Sequence, residues 1–129
     1  FENEQYKNRA IMKPLFIQYP KCGTCRKAAK WLQENGVEVT SRHIVEDNPT
    51  VGELSEWIPR SGLATQKFFN TSGQVYRQNN LKEVIKTASD EEMIKLLSEN
   101  GMLVKRPIVV SDNFVLVGFE EEEGKEKLL

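Results

Sequence analysis

The sequence predicts a single α/β domain in which helices cover a mixed sheet. Three observations carry this expectation. A strand–helix–strand unit opens the chain, a helical stretch fills the middle, and two apolar runs separated by a short polar turn come near the end. A strand–helix–strand unit of about thirty residues normally closes as a parallel pair with a right-handed crossover. A short turn between two apolar runs makes an antiparallel pair. Both kinds of pairing in one sheet make it mixed.

Residues 1–11 mix Glu2, Glu4, Lys7 and Arg9 with Asn and Gln and show no clean period. They are set apart as an N-terminal tail or cloning remnant, leaving 12–129 as the domain. Residues 15–19 are apolar and aromatic-rich and are closed by Pro20, which predicts a buried strand. Residues 26–35 are rich in helix formers and end in Asn35-Gly36, a C-cap signal. Cys25, Ala28, Ala29 and Leu32 fall at helical spacing and are assigned to its buried face. Val37, Val39 and Ile44 mark a second strand over 37–44.

The helical middle starts at Asn48-Pro49-Thr50, where Thr50 and Glu53 fit a capping box. Val51, Leu54 and Ile58 (or Trp57) form its apolar stripe, and Pro59 is expected to kink or end it. Phe68-Phe69 precedes a turn at Thr71-Ser72-Gly73, and Leu81, Val84 and Ile85 suggest a short helix. Residues 89–100 form the clearest helix: Ser89 caps it with Glu92, Asp90, Glu91 and Glu92 suit the positive end of its dipole, and Gly101 stops it. Residues 103–110 and 114–117 flank the turn Ser111-Asp112-Asn113 as a hairpin, and 120–129 close the chain as a helix.

Composition narrows the function classes. The 129 residues carry 18 Lys+Arg against 19 Asp+Glu, a formal net charge of −1, so the strong positive field that binds a phosphate backbone is missing and direct nucleic-acid binding is not expected. Mean hydropathy is −0.52, and no apolar run approaches the roughly 20 residues that span a bilayer. The 2 cysteines are too few for a disulfide-stapled secreted scaffold. No positively charged start leads into an apolar segment and cleavage site. A cytoplasmic, reducing compartment and a monomer are therefore expected. There, a Cys-x-x-Cys pair points to redox chemistry or metal binding.

Cys22 sits where the first strand has ended and the helix begins. Unpaired backbone N–H groups and the helix dipole favour an anion there, so the thiolate is stabilised. Lys21 and Arg26 add positive charge nearby. Cys25, one turn further on, would be more buried. That asymmetry suits an exposed nucleophile with a protected resolving partner. Two readings stand beside it: a pair brought together only by core packing, and a zinc site. Zinc needs three or four ligands, and the single histidine, His43, lies far along the next strand, where a surface position is expected.

The stretch Tyr19-Pro20-Lys21-Cys22-Gly23-Thr24-Cys25-Arg26-Lys27-Ala28 resembles the active-site loop of the arsenate-reductase-like/Spx family, a branch of the thioredoxin fold with an inserted helical subdomain. Lys105-Arg106-Pro107-Ile108-Val109-Val110 resembles that family's Arg-Pro-Ile strand. Lys67-Phe68-Phe69-Asn70-Thr71-Ser72-Gly73, followed by Tyr76-Arg77, is similar to its less-characterised arsenate-reductase-like members. The likeness extends over roughly 13–122. It implies a glutaredoxin-type four-stranded mixed sheet, Cys22 as the attacking thiolate, and Arg106 with a cis Pro107 beside it. Arg26 is implied as a second anion-site residue.

No bound cofactor is implied; glutathione or a thioredoxin/glutaredoxin donor would supply the electrons. The partner is then a small thiol or a redox protein. Glutathione-linked arsenate reductases have Ser at the position of Cys25 and two further arginines on the oxyanion. Here the matching positions fall at Gln66 or Lys67 and around Gly118-Phe119, and neither supplies Arg. Each charge-assisted pair contributes about 1.5–3 kcal/mol, so the resemblance points to thiol–disulfide exchange before arsenate. The Cys-x-x-Cys and Val117-Gly118-Phe119 also resemble Spx regulators, which implies the RNA polymerase α subunit as an alternative partner. The acidic end of the chain departs from that pattern.

Overall fold

The computed structural model describes residues 13–129; the predicted tail lies outside them. Four strands form one sheet in the order β2-β1-β3-β4: β1 Leu15–Gln18, β2 Thr40–His43, β3 Ile108–Val110 and β4 Val115–Val117. β1 pairs parallel with β2, Phe16 opposite Ser41. It pairs antiparallel with β3, Phe16 opposite Val109. β3 and β4 form the predicted hairpin, with Val109 opposite Leu116. The sheet is mixed, and the architecture is thioredoxin-like.

Side chains of a strand alternate between faces, and this alternation divides the core in two. Phe16, Val109 and Leu116 join Ala28, Trp31 and Leu32 on one face. Ile17, Ile108, Val110 and Val115 join Ile44, Leu54, Trp57, Phe68, Phe69 and Leu97 on the other. The first face is covered by α1 Gly23–Glu34, and Leu128 of α6 Glu121–Leu128 packs against the same cluster. Gly124 lets α6 approach closely: a Cβ there would lie 3.0 Å from Trp31 Cη2. The second face is covered by the helical insert of α2 Val51–Ser61, α3 Gln74–Gln78, α4 Leu81–Thr87 and α5 Asp90–Glu99.

Local signals held where they were short-ranged. Both capping boxes form, Thr50 with Glu53 and Ser89 with Glu92. Several assignments are corrected. Trp31, not Ala29, completes the buried face of α1 with Cys25, Ala28 and Leu32, while Ala29 is exposed. Val51 is 50% exposed, and Leu54, Trp57 and Ile58 make the α2 stripe instead. Pro59 does not end α2, which runs two residues past it to Ser61 before Gly62 closes it at φ +73. Val84 is exposed on α4.

Gly101 has no positive φ. It is glycine for another reason: a Cβ would press on the Ile44 carbonyl oxygen and come within 2.6 Å of Asn48 Oδ1. Strand β2 begins at Thr40, so Val37 and Val39 precede it. The helix α3 between the Thr71–Gly73 turn and α4 was not anticipated.

Candidate active site

The thiols sit at the carboxyl end of the central strand. β1 stops at Gln18, Tyr19-Pro20-Lys21 turn the chain, and Cys22 takes the N-cap position of α1 with extended backbone, φ −89° and ψ 127°. The turn is closed by the Cys22 N–H donating to the Tyr19 carbonyl oxygen at 2.9 Å. No side chain caps this helix, so its first N–H groups are free to serve the Cys22 sulfur. Both cysteines are unbridged; Cys22 is half-buried and Cys25 buried.

Partial burial pushes the Cys22 thiol up. Hydrogen bonds to its sulfur from the Cys25 N–H, the Cys25 thiol, the Arg106 guanidinium and the Thr24 N–H outweigh that, and the net shift is below the ordinary thiol value. Cys25 behaves oppositely. Burial, joined by the neighbouring Cys22 sulfur, pushes it up to about 12, against the Tyr19 N–H that donates to its sulfur at 3.5 Å. Two thiols three residues apart therefore differ in both exposure and acidity.

Arg106 reaches Cys22 from the other side of the sheet sequence, just before β3, and its peptide bond to Pro107 is cis. Its guanidinium carbon lies 4.9 Å from the centroid of the Tyr19 ring, and its Nη1 is buried without a hydrogen-bond partner. The cation acting on Cys22 is thus Arg106, not the Lys21 and Arg26 named from sequence proximity. Arg26 is exposed on α1 and does not line the cavity that opens on Cys22.

That cavity is about 440 Å³. Thr24 and Cys22 form one side, Asn70, Ser72 and Gly73 belong to the insert, and Lys105, Arg106 and Gly118 to the sheet side. Lys105 lies across Gly118, where a Cβ would sit 3.2 Å from its Cε. Asn70, Ser72 and Lys105 were missed as site residues. They lie within motifs legible in the sequence, but only a tertiary contact joins those motifs: an isolated bridge pairs Phe69 with Val104, and the Lys105 N–H donates to the Phe68 carbonyl oxygen at 2.8 Å.

His43 stacks edge-on against Tyr19, with ring centroids 5.6 Å apart. Among the described residues no three His, Cys, Asp or Glu side chains converge as metal ligands, and no helix is long and apolar enough to cross a membrane.

A protein-family model described as the ArsC family matches residues 17–126. The chain belongs to the ArsC family. A relative in Bacillus subtilis, the uncharacterized protein YusI, is 50% identical over 111 residues, 86% of this chain and 94% of that protein. The global transcriptional regulator Spx of Staphylococcus epidermidis is 29% identical over 104 residues, 81% of this chain and 78% of that protein. Among solved structures, a Bacteroides fragilis protein described as ArsC family related is 60% identical, with a TM-score of 0.88 over 92% of this chain and 99% of that one. A possible arsenate reductase from Streptococcus mutans is 37% identical, with a TM-score of 0.77 over 83% and 91%. ArsC-family relatives thus include both reductase-named and regulator-named proteins.

Proposed function

We propose that this ArsC-family protein is a thiol–disulfide oxidoreductase in which Cys22 is the nucleophile and Cys25 the resolving thiol. The observation that carries the reading is the opposite setting of the two sulfurs: Cys22 open to the cavity with its thiolate stabilised, Cys25 buried with its proton held.

The Cys22 thiolate attacks one sulfur of a substrate disulfide. A Cys22–substrate mixed disulfide forms, and the other substrate sulfur leaves as a thiolate and takes up a proton. Forming the mixed disulfide removes the negative charge beside Cys25, so Cys25 loses its proton more readily. Its thiolate attacks the Cys22 Sγ, the second substrate thiolate leaves, and an intramolecular disulfide remains. The substrate gains two electrons and the dithiol loses two. Glutathione or a thioredoxin/glutaredoxin-type dithiol restores the reduced protein. Arg106, assisted by the α1 N–H groups, holds negative charge on Cys22 before attack.

The test is a redox titration by thiol trapping and intact mass across a glutathione buffer series. A single two-electron transition to a Cys22–Cys25 disulfide is expected. A stable glutathione adduct on Cys22 with Cys25 still free would overturn the resolving role. The midpoint then classifies the protein, since a value near the roughly −270 mV of thioredoxin suits a reductant and a much higher one an oxidant or sensor.

The Spx likeness favours a second reading, a redox-controlled regulator whose partner is the RNA polymerase α subunit. Capture of the α subunit that depends on the Cys22–Cys25 state supports it; capture independent of redox state, or none, removes it. Arsenate reduction is the weaker third reading. Of the arginines a tetrahedral oxyanion would need, the cavity presents Arg106 alone, with Lys105, and the Glu120 carboxylate lines the same cavity.

A further inference from the structure

Tyr19 is where the separate parts of the site meet. Its N–H donates to Cys25 Sγ at 3.5 Å and its carbonyl oxygen accepts from the Cys22 N–H at 2.9 Å. Its ring carries the Arg106 guanidinium, 4.9 Å from the centroid, and meets the His43 ring edge-on, at 5.6 Å and 89°. His43 is itself fixed, because its Nδ1 accepts the N–H groups of Val45 and Glu46 at 3.1 Å each. Arg106 has no ion-pair partner among the described residues, and its Nη1 has no hydrogen-bond partner.

A long arginine side chain without a carboxylate partner samples many rotamers, and a guanidinium that wanders cannot keep a hydrogen bond to one sulfur. The face of an aromatic ring attracts a cation through its quadrupole, more strongly where water is partly excluded. A planar guanidinium can lie against a ring and still donate N–H bonds at its edge. We infer that Tyr19 is a positioning residue, whose ring, braced by His43, holds the Arg106 guanidinium against the Cys22 sulfur. The inference rests on the reading of Cys22 as the attacking thiolate. It assigns the ring a task separate from the backbone contacts that Tyr19 makes to both cysteines.

The experiment is the pH dependence of iodoacetamide alkylation at Cys22 in the reduced full chain, read by peptide mass. It compares the wild type with Tyr19→Phe, Tyr19→Leu, Arg106→Ala and the double variant Tyr19→Leu/Arg106→Ala. A phenyl ring preserves the face, and leucine removes it while keeping the backbone. Tyr19→Phe is expected to superimpose on the wild type. Tyr19→Leu is expected to move the midpoint upward, lowering the rate below the midpoint by about threefold. The double variant should match Arg106→Ala, because the ring acts only through the guanidinium.

A Tyr19→Leu profile equal to the wild type, with Arg106→Ala shifted, overturns the inference and leaves the thiolate reading standing. Shifts that add in the double variant also overturn it, since the ring would then act through the fold. An Arg106→Ala profile equal to the wild type removes both the inference and the part given to Arg106 in the proposed function. Should the leucine variant not fold, the wild-type nitrogen-15 spectrum decides. A ring-current-shifted Arg106 Nε–H supports the stacking, and an unshifted one overturns it.

Discussion

The Cys25 thiol donates a hydrogen bond to the Cys22 sulfur, so each cysteine sets the acidity of the other across one turn of α1. Removing the donor is expected to show at Cys22. Cys25→Ala should raise the pH midpoint of Cys22 alkylation. Cys25→Ser, which keeps a hydroxyl donor, should raise it less. Mass-resolved alkylation of the two variants checks the order.

Cys25 also gives the reduced protein an alkaline sensitivity. Burial lifts its folded pKa to about 12, above the free-thiol value of 9.0. The folded chain therefore holds this proton more tightly than the unfolded chain. The resulting stability is fully present below pH 9 and is lost as pH rises from 9 toward 12. Urea midpoints across that window should fall more steeply for the wild type than for Cys25→Ala, which lacks the titrating group.

Glu53 carries the acid-side counterpart. Its carboxylate takes Arg42 Nη1 at 2.6 Å and Nη2 at 2.8 Å, and the Thr50 N–H at 3.0 Å. The Arg42 hydrogen bonds, against partial burial, bring its pKa down to about 2. A depressed carboxylate contributes stability that is present above the free value of 4.5 and is lost as pH falls toward 2. Glu53→Gln is expected to cost about 1–3 kcal/mol at neutral pH. Much less should be lost at pH 2, and urea unfolding at the two pH values measures both.

Gly101→Ala should be among the more damaging single-methyl changes in the chain. The added Cβ meets the backbone carbonyl of Ile44 and Asn48 Oδ1. Neither can retreat easily, because Asn48 is tied by its Nδ2 to the carbonyl oxygens of Leu97 and Ser98. Overpacking of this kind costs about 1–3 kcal/mol, read as a lowered melting temperature with an unchanged fold by circular dichroism.

These sites also show what one dimension makes legible. Cys22 at a strand-to-helix junction, the Thr50–Glu53 and Ser89–Glu92 boxes, and the 108–117 hairpin are all decided within a few residues of chain. The face of α1 is not. Ala29 and Trp31 are both compatible with helical spacing beside Cys25 and Ala28, and Trp31 is buried because α6 offers Gly124 as its seat. Val51 fits the periodicity of α2 yet lies on the solvent side of its first turn. Chain proximity to Cys22 points to Lys21 and Arg26, and only the motif resemblance points to Arg106. The cation that serves the sulfur is Arg106, more than eighty positions later, brought there because β3 pairs with β1. Asn70 and Lys105 entered the cavity wall for the same kind of reason.

The pairing of Phe69 with Val104 joins the two walls of the site. On one side stands Cys22, at the N-cap of α1 just past β1, a strand hydrogen-bonded along both edges. That platform can loosen only when the sheet as a whole comes apart. On the other side, the wall bearing Asn70 and Ser72 follows Phe68 and Phe69, which are buried in the core shared with β1 and β3, and one isolated bridge with its flanking hydrogen bonds ties it to the sheet side. Both walls of the cavity are therefore anchored in one core, so the room beside the sulfur is set by the fold before any guest arrives.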